Sequence, residues 1–126
     1  MASEGLHEPI EKLKPETVNI HRAIVSLKEE LEAIDWYRQR ADACSDLQLR
    51  AILEHNMNEE IEHASMALEW IRRNVPKFNE ALKTYLFTTE NVVDIEKAAD
   101  AGEKQGGTAT DERPKTRATI GDMKGS

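Results

Sequence analysis

Two stretches of this chain, Glu16–Ala43 and Asp46–Asn74, contain neither glycine nor proline, and that absence constrains the fold more than anything else in the sequence. Inside a helix proline costs about 3 kcal/mol and glycine about 1 kcal/mol, so both stretches are free to run as long helices. Pro15 stands just ahead of the first, in the first turn, where its missing N–H costs nothing. Within it Ile20, Ile24, Leu27, Leu31 and Ile34 step by four, three, four and three, a packed stripe of the coiled-coil type. In the second, Leu49, Leu53, Met57, Ala64, Ala67 and Ile71 share one arc. Cys44-Ser45-Asp46 is the natural break, and Ser45 with Gln48 fits a capping box for the second helix. So short a connection predicts an antiparallel hairpin. The expected fold class is all-α, a two-helix hairpin plus a short C-terminal helix.

Four segments are expected along the chain. Residues 1–14 read as an extended lead-in, and residues 15–100 as the helical domain. Within that domain Pro76 opens a third helix to about Phe87, with Phe78, Leu82, Tyr85 and Leu86 on its apolar side. A weak helical signal continues from Val92 to Ala99. Gly102, Gly106, Gly107 and Pro114, set among threonines and charges, make residues 101–118 a flexible linker. Residues 119–126 regain slight apolar character through Ile120 and Met123.

At 126 residues, 39% hydrophobic and 33% charged, a single copy can bury only a small core. Each hairpin exposes its stripe unless a second copy covers it. Two-fold pairing of hairpins into a four-helix bundle is the expected remedy. A net charge of −7 argues against nucleic acid as a partner, whose recognition needs a basic surface. A single cysteine, Cys44, excludes an intrachain disulfide and a four-cysteine zinc site. No apolar run approaches the roughly 18 residues of a membrane span. Met1–Pro9 is polar and carries no signal-peptide core, so a soluble, cytosolic protein is expected.

The second helix holds the most informative anomaly. Glu60 and His63 fall on its apolar arc, three residues apart and projecting from one face. A carboxylate there is costly unless it is paired or bound to a metal. Glu-x-x-His is the spacing of carboxylate di-iron bundles, although the spacing alone is common: Glu4 with His7 repeats it in the lead-in, outside any convincing helix. Glu30 sits at the edge of the first helix's stripe. It lies as far before position 45 as Glu60 lies after it, so both stand about 22 Å from the turn, level across the hairpin. Two hairpins then offer four glutamates and two histidines, the ligand inventory of a ferritin-like di-iron site. Such ligands suit iron, zinc or manganese. The same three residues would equally serve as a buried polar network or a solvated groove.

The opposite face of the first helix carries Val25, Glu29, Glu32 and Trp36 within roughly 60° of one another. That face is either a metal-recruiting patch or an ordinary charged surface with one exposed aromatic. Tyr37, on the Glu30 side, either hydrogen-bonds a metal ligand or packs in the core. His21 and His55 have no partner at helical spacing on an apolar face and read as surface residues.

Several blocks of the sequence resemble the encapsulated ferritins. They are His21-Arg22-Ala23-Ile24-Val25, Glu29-Glu30-Leu31-Glu32-Ala33, Asp35-Trp36-Tyr37, Glu59-Glu60-Ile61-Glu62-His63-Ala64, Leu68-Glu69-Trp70-Ile71-Arg72-Arg73 and Thr84-Tyr85-Leu86-Phe87-Thr88. Their order and spacing agree over roughly residues 7–95. The resemblance implies a ferroxidase that oxidises Fe(II) to Fe(III) at a centre formed only between two subunits, with two iron ions per dimer interface. It implies Glu30, Glu60 and His63 as iron ligands and Tyr37 close to the centre. Glu29 and Glu32, beside Trp36, match an outer metal site that draws iron inward. It further implies a ring of five dimers, working as cargo inside an encapsulin nanocompartment of the bacterial or archaeal cytoplasm. Thr119-Ile120-Gly121-Asp122-Met123-Lys124 is similar to the targeting peptides of encapsulin cargo, departing chiefly at Asp122.

Two rivals are expected to behave differently. A non-catalytic helical oligomerisation or adaptor module would form the same oligomer in chelator and consume no ferrous iron. A rubrerythrin-type enzyme needs a rubredoxin centre, which one cysteine cannot build.

Overall fold

The structure, a computed structural model, describes residues 5–106. Among them every regular element is helical: a 3₁₀ turn at Ile10–Lys12, then α1 (Pro15–Ala43), α2 (Leu47–Asn74), α3 (Pro76–Tyr85) and α4 (Val92–Gly106). The chain divides into two compact units between Asn74 and Val75.

The first unit is the hairpin of α1 and α2, which pack against each other along their length. Pro15 occupies the first position of α1, as its missing N–H allows. The cap of α2 is Asp46, not Ser45: the Leu49 backbone N–H donates to Asp46 Oδ1 at 2.8 Å. A carboxylate does this better than a hydroxyl because its charge also faces the positive helix end. The lead-in, expected to be extended, is broken by the 3₁₀ turn after Pro9. At the far end of α2, Glu69 accepts both Nε–H (2.8 Å) and Nη2–H (2.8 Å) of Arg72 and Nε–H of Arg73 (2.6 Å). Arg72, then Arg73, hold its carboxyl down to about 2.

The core of the described residues is very small. Only Ala41, Ala64 and Ile71 are buried, Ile71 at 1% exposure. The stripe of α1 is split by the packing. Ile20, Leu27 and Ile34 are half-buried, whereas Ile24 and Leu31 stay 46% and 54% exposed. Members of one seven-residue series are covered by this chain and those of the other are not.

The second unit contains α3 and α4, which touch each other. α3 ends at Tyr85, short of the expected Phe87. Phe87 adopts φ 60°, a conformation that disfavours an L side chain and cannot continue the helix. Asn91 caps α4, its Oδ1 accepting from the Val93 and Asp94 N–H groups at 2.9 and 3.2 Å. The expected weak signal to Ala99 is a helix that runs on to Gly106. The remainder of the expected linker, from residue 107, and the segment Thr119–Lys124 lie outside the described residues. Among those described, no helix is long and apolar enough to cross a membrane.

Candidate metal centre

Glu30 from α1 and Glu60 and His63 from α2 meet at one place on the hairpin. One ligand atom from each lies within 4.8 Å of the other two, and no other set of three histidine, cysteine or acidic residues among those described approaches so closely. The level placement of Glu30 and Glu60 follows from the packed antiparallel geometry. The pairing of Glu60 with His63 follows from the helical repeat, which stacks residues three apart.

His63 Nδ1–H donates to Glu60 Oε1 at 3.1 Å, and Glu30 Oε2 lies 3.8 Å from the same nitrogen. The electrostatics follow from this crowding. A hydrogen bond shared with Glu60, together with partial desolvation, raises the Glu30 carboxyl above its ordinary value. Glu60, which accepts from Glu30 and from His63, is pushed down. His63 is pushed up, mainly by its hydrogen bond to Glu60. Two carboxylates and an imidazole thus share protons between them. A divalent cation can replace those protons, because it satisfies all three ligands at once.

The sequence puts Glu60 and His63 on an arc expected to be buried and Glu30 at the edge of the α1 stripe. The structure corrects this for a single copy: the side chains of Glu30, Glu60 and His63 are 28%, 25% and 45% exposed. Such an open half-site leaves room for ligands from elsewhere, and three protein ligands alone leave a metal's coordination incomplete.

The other candidates are not members of this group. Glu29, Glu32 and Trp36 are exposed on α1, and no third acidic or histidine ligand approaches the two glutamates among the described residues. Tyr37 is half-buried, with the Arg40 guanidinium carbon 5.5 Å from its ring centroid. Charge pattern alone did not predict that stacking. An arginine three residues after an aromatic on one helix face is the signal that could have. His21 and His55 stay outside the cluster.

The EncFtn-like family model matches residues 5–89. An encapsulated ferritin-like protein of Rhodospirillum rubrum is 60% identical over 108 residues, 86% of this chain and 77% of that protein. A ferritin-like protein of Thermotoga maritima is 48% identical over 105 residues, 83% of this chain and 92% of that protein. The encapsulin nanocompartment cargo protein EncC of Myxococcus xanthus is 32% identical over 106 residues, 79% of this chain and 80% of its own. Among solved structures, the crystal structure of protein ne0167 from Nitrosomonas europaea superposes with a TM-score of 0.68 at 57% identity, covering 70% of this chain and 97% of that one.

Proposed function

Because this chain belongs to the EncFtn-like family of encapsulated ferritins, we propose that it is a ferroxidase whose di-iron centre forms when two hairpins pair. The observation that carries this reading is the convergence of Glu30, Glu60 and His63 within 4.8 Å. Two copies supply four carboxylates and two imidazoles for two Fe(II) ions, which are the substrate. Glu30 of each copy would be shared between the two ions, and Glu60 and His63 of each copy would hold them. Carboxylate charge favours the ferric product over the ferrous substrate, which drives electron loss. Two ions together give up two electrons to dioxygen, which takes up two protons and leaves as hydrogen peroxide.

On the same reading Tyr37 lies beside the centre, and Glu29 and Glu32 gather cations on the face that also bears Trp36. The paired hairpins assemble as a ring of five dimers. An open ring holds no mineral, so the protein serves as cargo in the lumen of an encapsulin shell, reached through Thr119–Lys124 behind a linker. The cargo name of the Myxococcus relative supports that assignment.

The test is the initial rate of aerobic Fe(II) oxidation by wild type and Glu60→Ala. Removing a ligand shared by the metal and His63 is expected to lower the rate at least about 100-fold. A Glu60→Ala protein that oxidises iron at the wild-type rate would sink the assignment. The adaptor alternative predicts no oxidation by either protein.

A further inference from the structure

Within the second unit, α3 and α4 border an open groove of about 390 Å³ that the iron chemistry does not use. Thr84, Glu90, Asp94, Ile95, Ala98 and Gly102 are among its lining residues. Ile95, Ala98 and Ala99 give its lining apolar side chains, while both ionisable groups in the lining, Glu90 and Asp94, are acidic. Among the described residues neither Glu90 nor Asp94 has an ion-pair partner. At Gly102 an added side chain would meet nothing within 4 Å, so the groove is open at that end.

The sequence beyond α4 has complementary chemistry. Residues 113–126 carry Arg113, Lys115, Arg117 and Lys124 against Asp122 alone, in a chain whose net charge is −7. Behind Asp111 and Glu112 this last stretch is therefore net basic although the chain as a whole is acidic. The same segment offers two large apolar side chains, Ile120 and Met123. Reach is no obstacle. An extended chain at about 3.3 Å per residue carries Ile120 roughly 45 Å from Gly106, whereas Asp94 stands only about 18 Å back along the helix.

We propose that residues 113–124 of the same chain occupy the α3–α4 groove, with Ile120 and Met123 against its apolar side chains and the basic side chains at Glu90 and Asp94. Occupancy hides the two apolar residues of Thr119–Lys124, so the groove competes with any shell for that segment. The competition rests on the targeting role proposed above. The occupancy itself does not, and its test contains no shell.

Trypsin cleaves after Lys115 and Arg117, and Arg113 is shielded by Pro114. The full chain is digested at low salt, with cleavage at these two bonds followed by mass spectrometry. Its rates are divided by those of a free synthetic peptide of residues 113–126 under the same conditions. Expected is slower cleavage in the chain by at least about threefold, the scale of one or two exposed ion pairs with a small apolar contact. That protection should disappear at high salt, in Glu90→Lys/Asp94→Lys, and in Ala98→Trp, which fills the groove without changing charge. Equal rates for wild-type chain and free peptide would overturn the proposal, and this comparison needs no variant to fold. Protection that grows with protein concentration would also overturn it, assigning the segment to the groove of a second copy.

Discussion

At the residue scale, the proposed chemistry rests on three side chains that crowd one another on the hairpin. His63 is held above its ordinary value of 6.5, chiefly by its hydrogen bond to Glu60. Its proton must leave when a cation binds through the ring. The sign follows directly. Below the raised His63 value the imidazolium competes with the metal, and affinity falls by up to about tenfold per pH unit for one proton displaced. Above it that competition ends. Titration with Zn(II), a redox-silent probe, is expected to show affinity rising between about pH 5 and 8. In His63→Ala binding is expected to be weaker and the rise shallower. A wild-type affinity that is flat over this interval would mean that His63 is not a ligand. These three residues were legible in the sequence through two independent regularities, the i, i+3 spacing and the level placement across the turn. Their exposure was not, because burial depends on what covers the hairpin, and helical periodicity reports only which side is apolar.

At the element scale, helix lengths were read well because glycine and proline punctuate the chain so sparsely. Helix ends were read less well. Ser45 and Asp46 are both good caps, and only the backbone path selects Asp46. Likewise, nothing in Leu86-Phe87-Thr88 announces that Phe87 takes φ 60°, so the third helix was extended past its true end. Asp46→Ala is expected to destabilise the hairpin by about 1 kcal/mol, whereas Ser45→Ala should cost far less. Thermal denaturation of the two variants side by side measures the difference. Equal losses would place the cap back on Ser45.

At the scale of the whole molecule, the central fact is how little apolar surface is buried among the described residues. Ile24, Leu31, Leu49 and Ile52 are exposed in the α1–α2 unit although they lie on long amphipathic helices. The expectation of a partner comes from that sequence pattern, and the split stripe of α1 names the residues a second copy would cover, Ile24 and Leu31. The tail belongs to the same scale. Deleting residues 119–126 should leave iron oxidation unchanged and abolish loading into a co-expressed encapsulin shell, read by co-purification. Undiminished loading would mean that the address lies elsewhere. The most direct test of the central claim, that paired copies of this chain oxidise iron at Glu30, Glu60 and His63, is stopped-flow aerobic Fe(II) oxidation on size-resolved fractions of wild type and His63→Ala. The account predicts fast oxidation in fractions of dimer size or larger, little in monomer, and loss of the fast phase in the variant. A well-formed oligomer that consumes no Fe(II), or a monomer equally active per chain, would contradict it.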